Sequence, residues 1–331
     1  MNDDEIIQKK CFRLKRKMAA VVCAIFLAAG LATVFFLLKS SYHSDSDIVI
    51  MQAAAKQLNK DPNELTNDDF AQITQLNLSG KELSDIRLLE KFINLQGLYM
   101  SGVKVPNSAL PKWKLILKKL HLINKSDNKF IDFKPLAKLT SLENLTLSYT
   151  EIDDIEPLSG LNNIRELNLT RTRISDFNPL IKFKNLESLC VSDTQFNDLK
   201  LIENLTNLQE LSLGRSKVTD LKPIKKLKNL QVLSLSQNQV HELEQLTELK
   251  KLNKLYIWQP ATSEMIGFLS GTGTYYTVSP TVSTNLDFES IKKMKKLEIL
   301  SLTNFNLSRE QQDDLHKANP DLKIDLWDID P

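Results

Sequence analysis

Four histidines and three cysteines are the residues of this chain best suited to nucleophilic, acid–base or metal chemistry. His43, His121, His241 and His316 are scattered, and Cys11, Cys23 and Cys190 make no CxxC pair and no Cys/His cluster of metal-ligand spacing. No GxSxG, HExxH, P-loop or GxGxxG run occurs. Aspartates are plentiful, but they recur at one place in a repeating pattern, as a structural turn demands. These residues point to no enzyme, no cofactor, no metal and no small-molecule substrate. What the spacing does offer is recognition chemistry. Tyr149, Arg171, Asp193 and Arg215 lie 22 residues apart. If successive repeats stack about 4.8 Å apart, a ring, two guanidiniums and a carboxylate form a contiguous ladder suited to a carboxylate or an acidic peptide.

The elements that would hold this ladder follow from the same period. Apolar-x-apolar pairs occur at Leu76/Leu78, Leu98/Met100 and Leu120/Leu122, and again, after a step of 25, at Leu145/Leu147, Leu167/Leu169, Leu189/Val191, Leu211/Leu213, Leu233/Leu235 and Leu255/Ile257. A last pair is Leu300/Leu302. Most have Leu or Ile three residues earlier, as at Leu142, Ile164 and Leu186. Period-two alternation turns both leucines inward and the middle residue outward, as on a strand. An apolar-x-Asp-apolar stretch follows, often with proline two residues on, as in Ile174-Ser175-Asp176-Phe177-Asn178-Pro179. That proline starts a helical turn and bars another central strand. Self-similarity at a fixed short period marks a solenoid.

These residues resemble the internalin-like class of leucine-rich repeat, from about Thr66 to Asp330. The resemblance implies an α/β leucine-rich-repeat solenoid, with a concave parallel sheet and short convex helical or 3₁₀ segments. The family's usual loop asparagine is present as Asn238; Thr150, Thr172, Thr194 and Ser216 replace it in four repeats, and Lys81, Val103 and Lys125 in the early ones. Threonine and serine can make part of the asparagine's bonds. Lysine and valine cannot make them in the same way, so looser early turns are expected.

A solenoid must cover its terminal apolar faces. Residues 48–73 read as a helical cap, with Ile48, Met51, Ala55 and Leu58 at helical spacing and Thr66-x-x-Asp69 opening a second helix. Repeats occupy 74–258. Residues 259–296 hold a degenerate repeat or insertion, and 297–331 the last repeat and C-terminal cap. In that cap, Ser308-x-x-Gln311 opens a helix, and Leu322, Ile324 and Leu326 supply a final strand. The extra residues between Ile123 and Ile131 read as a lengthened loop.

The composition, 42% hydrophobic and 25% charged, is that of a globular chain. Its net charge of +2 arises entirely in the first 17 residues, which carry +3. This basic tail precedes Met18–Leu38, 21 residues without a charge. As a helix they span about 31 Å, the thickness of a bilayer's hydrocarbon. The run is too long for a signal peptide and ends in large residues, so it reads as an uncleaved transmembrane signal anchor, followed by a polar stalk at 39–47. Six bases before the span and Lys39 after it put the N-terminus in the cytoplasm and the repeats across the membrane, in a cell envelope of bacterial type.

The outward middle positions are Asn77, Tyr99, His121, Thr146, Asn168, Cys190, Ser212, Ser234 and Tyr256. Tyr99 and His121 at one end, Tyr256 and Trp258 at the other, and the four-residue ladder are the candidate contacts for a protein or peptide ligand, since such side chains are enriched at binding hot spots. Lysine runs such as Lys222, Lys225, Lys226 and Lys228 read as a solvated outer face, with no nucleic-acid partner. A second reading is an architectural envelope protein without a specific ligand. A third, a regulatory scaffold for a cytoplasmic enzyme, requires that Met18–Leu38 not be an anchor.

Overall fold

The computed structural model describes residues 45–104, 131–235, 242–258, 286–303, 305 and 307–327. Their strands form one ten-stranded parallel sheet in strict chain order. The strands are β1 (Gln75–Asn77), β2 (Gly97–Tyr99), β3 (Asn144–Thr146), β4 (Glu166–Asn168), β5 (Ser188–Cys190), β6 (Glu210–Ser212), β7 (Val232–Ser234), β8 (Lys254–Trp258), β9 (Ile299–Thr303) and β10 (Lys323–Trp327). Four helices accompany them: α1 (Asp45–Leu58), α2 (Asn67–Gln72), α3 (Phe288–Lys293) and α4 (Arg309–Ala318). The outer segments are 3₁₀ turns, such as Glu156–Gly160, Asn178–Lys182 and Lys222–Lys226. Among the described residues no helix is long and apolar enough to cross a membrane; the expected anchor, Met18–Leu38, lies outside them.

Each repeat is built as the spacing requires. Its inward residues, for example Ile164, Leu167, Leu169, Ile174 and Leu180, are fully or almost fully buried and join one continuous core. The recurrent aspartate is an Asx turn: Asp154 Oδ1 accepts from the Glu156 N–H at 2.8 Å and Asp176 Oδ1 from the Asn178 N–H at 2.9 Å, opening the 3₁₀ turn. A second polar device ties repeats together. Asn163 Nδ2 donates to the Thr140 carbonyl, Asn185 to Asn162 and Asn229 to Thr206, each at 2.8–2.9 Å. These side chains satisfy backbone carbonyls that no strand partner reaches.

The ends differ from expectation in detail. In α1 the buried face is Ile50, Met51, Ala54 and Ala55, whereas Ile48 is exposed. Buried Ser46 accounts for the rotation, because its Oγ accepts from the Ser84 and Asp85 N–H groups and pins the first turn. The capping box of Thr66 and Asp69 is formed. Lys60 Nζ adds an ion pair to Asp69 at 2.5 Å. The hydrogen bond from Lys60, then those from Thr66, hold the Asp69 carboxyl at about 2, well below the ordinary range. At the other end Ser308 and Gln311 form a second capping box, and β10 pairs with β9 throughout.

Two intervals longer than a repeat hold the clearest departures. Leu98 pairs with Leu145 and Tyr99 with Thr146, so β2 and β3 are direct neighbours. The outward row therefore passes from Tyr99 to Thr146, and the expected Leu120/Leu122 strand with His121 lies outside the described residues. Likewise Tyr256 pairs with Ser301 and Trp258 with Thr303, so no degenerate strand intervenes between β8 and β9. In both cases pairing with the next available strand closes the sheet, whatever length of chain lies between.

Candidate functional site

The outward face is organised in columns by the sheet register. One column runs Asn77, Tyr99, Thr146, Asn168, Cys190, Ser212, Ser234, Tyr256 and Ser301, each the register partner of the next. Small hydroxyl and thiol groups fill its middle and bond across repeats. Thr170 Oγ1 lies 3.0 Å from Cys190 Sγ, the Cys190 thiol donates to Ser192 Oγ at 3.6 Å, and Ser192 Oγ lies 3.2 Å from Ser212 Oγ. Cys190 is a free thiol, half-buried in this network. Across β5–β9 the floor sinks into a depression of about 550 Å³, lined by Ser188, Cys190, Glu210, Ser212, Val232, Ser234, Tyr256, Ser301 and Thr303 together with Leu189, Leu211 and Ile257.

Two polar rims flank the floor. Before the strands, Arg165 Nη1 meets Glu187 Oε1 at 2.9 Å, Gln209 Nε2 donates to Glu187 Oε2 at 3.4 Å, and Gln231 Nε2 donates to Gln209 Oε1 at 3.2 Å. Beyond the strands lie the four residues singled out by their spacing. Arg171 Nε donates to Asp193 Oδ2, the Arg171 guanidinium stands 5.3 Å over the Tyr149 ring, and Arg215 Nη1 is 3.7 Å from Asp193 Oδ2. Tyr149, Arg171, Asp193 and Arg215 are thus one continuous ladder. The hydrogen bond that Arg171 donates to Asp193, then the charge of Asp193, raises the guanidinium above its ordinary value.

Backbone conformation sets this rim apart. Tyr149, Arg171, Asp193 and Arg215 have φ of 58°, 53°, 56° and 54°, in the left-handed region that side chains with a Cβ rarely enter. The sequence reading missed this, although the signal was present: Gly80 (φ 69°) and Gly102 (φ 63°) occupy the same position in the first two repeats. The adjoining threonines brace the turn. The hydroxyls of Thr150, Thr172 and Thr194 donate to the carbonyls of Leu147, Leu169 and Val191 at 2.6–2.7 Å.

The looseness expected at Lys81 and Val103 is absent. There the backbone closes the turn itself, with the Lys81 N–H on the Leu78 carbonyl and the Val103 N–H on Met100, and the two repeats are bridged from Glu82 to Lys104. Of the remaining candidates, Tyr99 is the second member of the outward column, Tyr256 walls the depression, Trp258 lies on β8, and His121 falls outside the described residues. Tyr99 on β2 and Tyr256 on β8 stand six strands apart in that column. On the outer face Lys226 pairs with Glu203 at 2.8 Å and Lys182 with Glu156 at 2.6 Å, so acids of neighbouring repeats offset part of the basic runs.

A family model described as Leucine Rich repeats (2 copies) matches residues 140–182. No curated protein matches the sequence. Among solved structures the fold is similar to an internalin (inlF) from Listeria monocytogenes, at 23% identity and a TM-score of 0.60 over 86% of this chain and 70% of that one. An internalin C2 (inlC2) from the same organism matches 63% of this chain and 92% of its own, at 25% identity and a TM-score of 0.49. Parallel strands in chain order, outer 3₁₀ turns, the repeat match and the likeness to the internalin (inlF) together make the described part of the chain a leucine-rich-repeat solenoid with an internalin-like fold.

Proposed function

We propose that this chain is a membrane-anchored recognition protein of a cell envelope, which binds a protein partner through the outward face of its sheet. One observation carries the reading. In four successive repeats a residue with a side chain is held at positive φ, where glycine is the residue of least cost, and the four side chains line up as an exposed aromatic and charged ladder. Tyr149 is 57% exposed. Surface ion pairs of this kind contribute about 0–1 kcal/mol each, too little to repay the backbone strain. Strain kept at such positions is a mark of use. The likeness to internalins, which share the fold, supports a partner of protein type. Anchoring rests on the uncharged stretch Met18–Leu38 and on the six bases before it.

The test is photo-crosslinking in the native host, with a benzophenone amino acid replacing Tyr149 in the full chain, and Ile181, exposed on an outer turn, as the control. A discrete adduct from position 149 and none from 181 is expected. Equal adduct patterns at the two positions would remove the reading. For the anchor, a reporter fused after Pro331 should be active only on the outer side.

A further inference from the structure

The far rim carries two arginines and one aspartate, the near rim pairs Arg165 with Glu187, and the depression between them has a charge of its own. Glu210 is the one charged residue among those that line it. Its carboxylate is held only lightly, by the Ser188 hydroxyl at 3.3 Å, and it is exposed. A hydroxyl has one proton and two acceptor pairs. The Cys190 thiol donates to Ser192, and Ser192 and Ser212 share one further proton, so these hydroxyls keep lone pairs open to a visitor. Tyr256, two strands from Glu210 on the same face, offers a ring. Carboxylate, acceptor oxygens and a π-face in one depression suit a cation.

We infer that this depression receives a basic side chain of the protein partner, a guanidinium or an ammonium, between Glu210 and Tyr256. The inference rests on the protein-binding reading above and supplies the chemistry of one contact. The surrounding charges agree. Glu166 stands in the Glu210 column two strands away, with Ser188 between them, and Glu187 lies on the near rim with Arg165. Lys254 lies in the same column two strands to the other side, about 10 Å from Glu210. It closes that end to a second positive group and confines the site to one. The arginines of the ladder occupy the opposite rim, beyond the strand ends, away from Glu166 and Glu210.

Cys190, in the floor, provides the reporter. The full chain is treated with a cationic thiol reagent, trimethylammonioethyl methanethiosulfonate, and with its anionic counterpart, sulfonatoethyl methanethiosulfonate. Labelling of Cys190 is followed by peptide mass spectrometry, which separates it from Cys11 and Cys23. Relative to free cysteine, the cationic reagent should be favoured at Cys190 by about three- to tenfold. Glu210→Gln should abolish the preference, and Glu289→Gln, on α3, should leave it intact. The peptide acetyl-Gly-Arg-Gly-amide should slow labelling, and the same peptide with citrulline in place of arginine should not. A preference that survives Glu210→Gln, or is absent from the unmodified chain, would overturn the inference. Equal protection by the citrulline peptide would also overturn it, while leaving the face a binder of polypeptide.

Discussion

After β1 and β2 the turn that leaves the sheet is made from backbone alone: glycine at 80 and 102, and an N–H from the next residue closing onto the second strand leucine or methionine. After β3, β4 and β5 the same turn holds Tyr149, Arg171 and Asp193, with a threonine hydroxyl closing it from the side. After β6 Arg215 holds the same conformation, and there the Ser216 N–H closes onto the Leu213 carbonyl as in the first two repeats. Both regions reach one geometry. The first does so at least cost and shows nothing at the rim; the second accepts strain and shows side chains. A repeat protein can therefore separate the residues that fix its turn from those that face a partner. Where the two tasks fall on one position, the brace must come from a neighbour.

The comparison can be broken in several ways. The largest effects belong to the core that both regions share. Leu213→Ala, at a fully buried inward position, should cost about 2–5 kcal/mol, and Ser212→Ala beside it far less. Equal shifts in melting temperature for this adjacent pair would mean that inward and outward are misassigned. Next come the left-handed positions themselves. A Cβ added at Gly80 or Gly102 meets nothing within 4 Å, so Gly80→Ala isolates the backbone term and should cost about 1–2 kcal/mol. Tyr149→Gly should instead leave thermal stability unchanged or raise it by up to about 1 kcal/mol, despite the lost ring contact. Denaturant titration of the two variants decides the point, and a large loss from Tyr149→Gly would make the ladder a stability device.

The brace ranks third. Thr172→Val removes the hydroxyl bond to the Leu169 carbonyl at constant shape and should cost about 1 kcal/mol, whereas Val103→Thr in the backbone-closed region should gain less than that. The last prediction concerns the cap that abuts the first region. Asp69 has a lowered carboxyl in the folded chain, so the unfolded state binds its proton first as pH falls. Its contribution is fully present above about pH 4 and is lost as pH descends towards about 2. An acid titration of melting temperature should lose part of its slope there in Asp69→Asn. Identical profiles for the two proteins would remove the cap from the acid response.

How much of this could be read from the sequence depends on what kind of order each feature obeys. Inward and outward positions are local alternation, so Leu167, Asn168 and Leu169 disclosed their directions. The ladder was legible because a 22-residue period places Arg171 and Asp193 in adjacent repeats and both are long enough to meet. Strand pairing across a long interval was not. Leu117, Leu120 and Leu122 satisfy the repeat pattern as well as Leu142, Leu145 and Leu147, yet Tyr99 pairs directly with Thr146. Pattern reports what a segment can bury, and pairing is settled by which strand reaches the edge. Positive φ was hidden for a related reason: the glycines at 80 and 102 disclose it only when aligned with a tyrosine and two arginines. The depression depends on the relative size of side chains on five strands, which no single repeat contains.

Ser141 stands where Asn94, Asn163, Asn185, Asn207 and Asn229 stand in their repeats, and its Oγ still donates to the preceding repeat, at the Ile93 carbonyl 48 residues earlier, 3.1 Å away. The joint is therefore indifferent to contour length. Each module meets the surface of the one before it, whether 23 or 48 residues separate the bonded pair, and an insertion between Lys104 and Ile131 would test this. Foreign sequence placed there, a tag or a whole folded insert, should leave the stacking downstream undisturbed. The same indifference gives such arrays a means of acquiring new loops without renegotiating their fold.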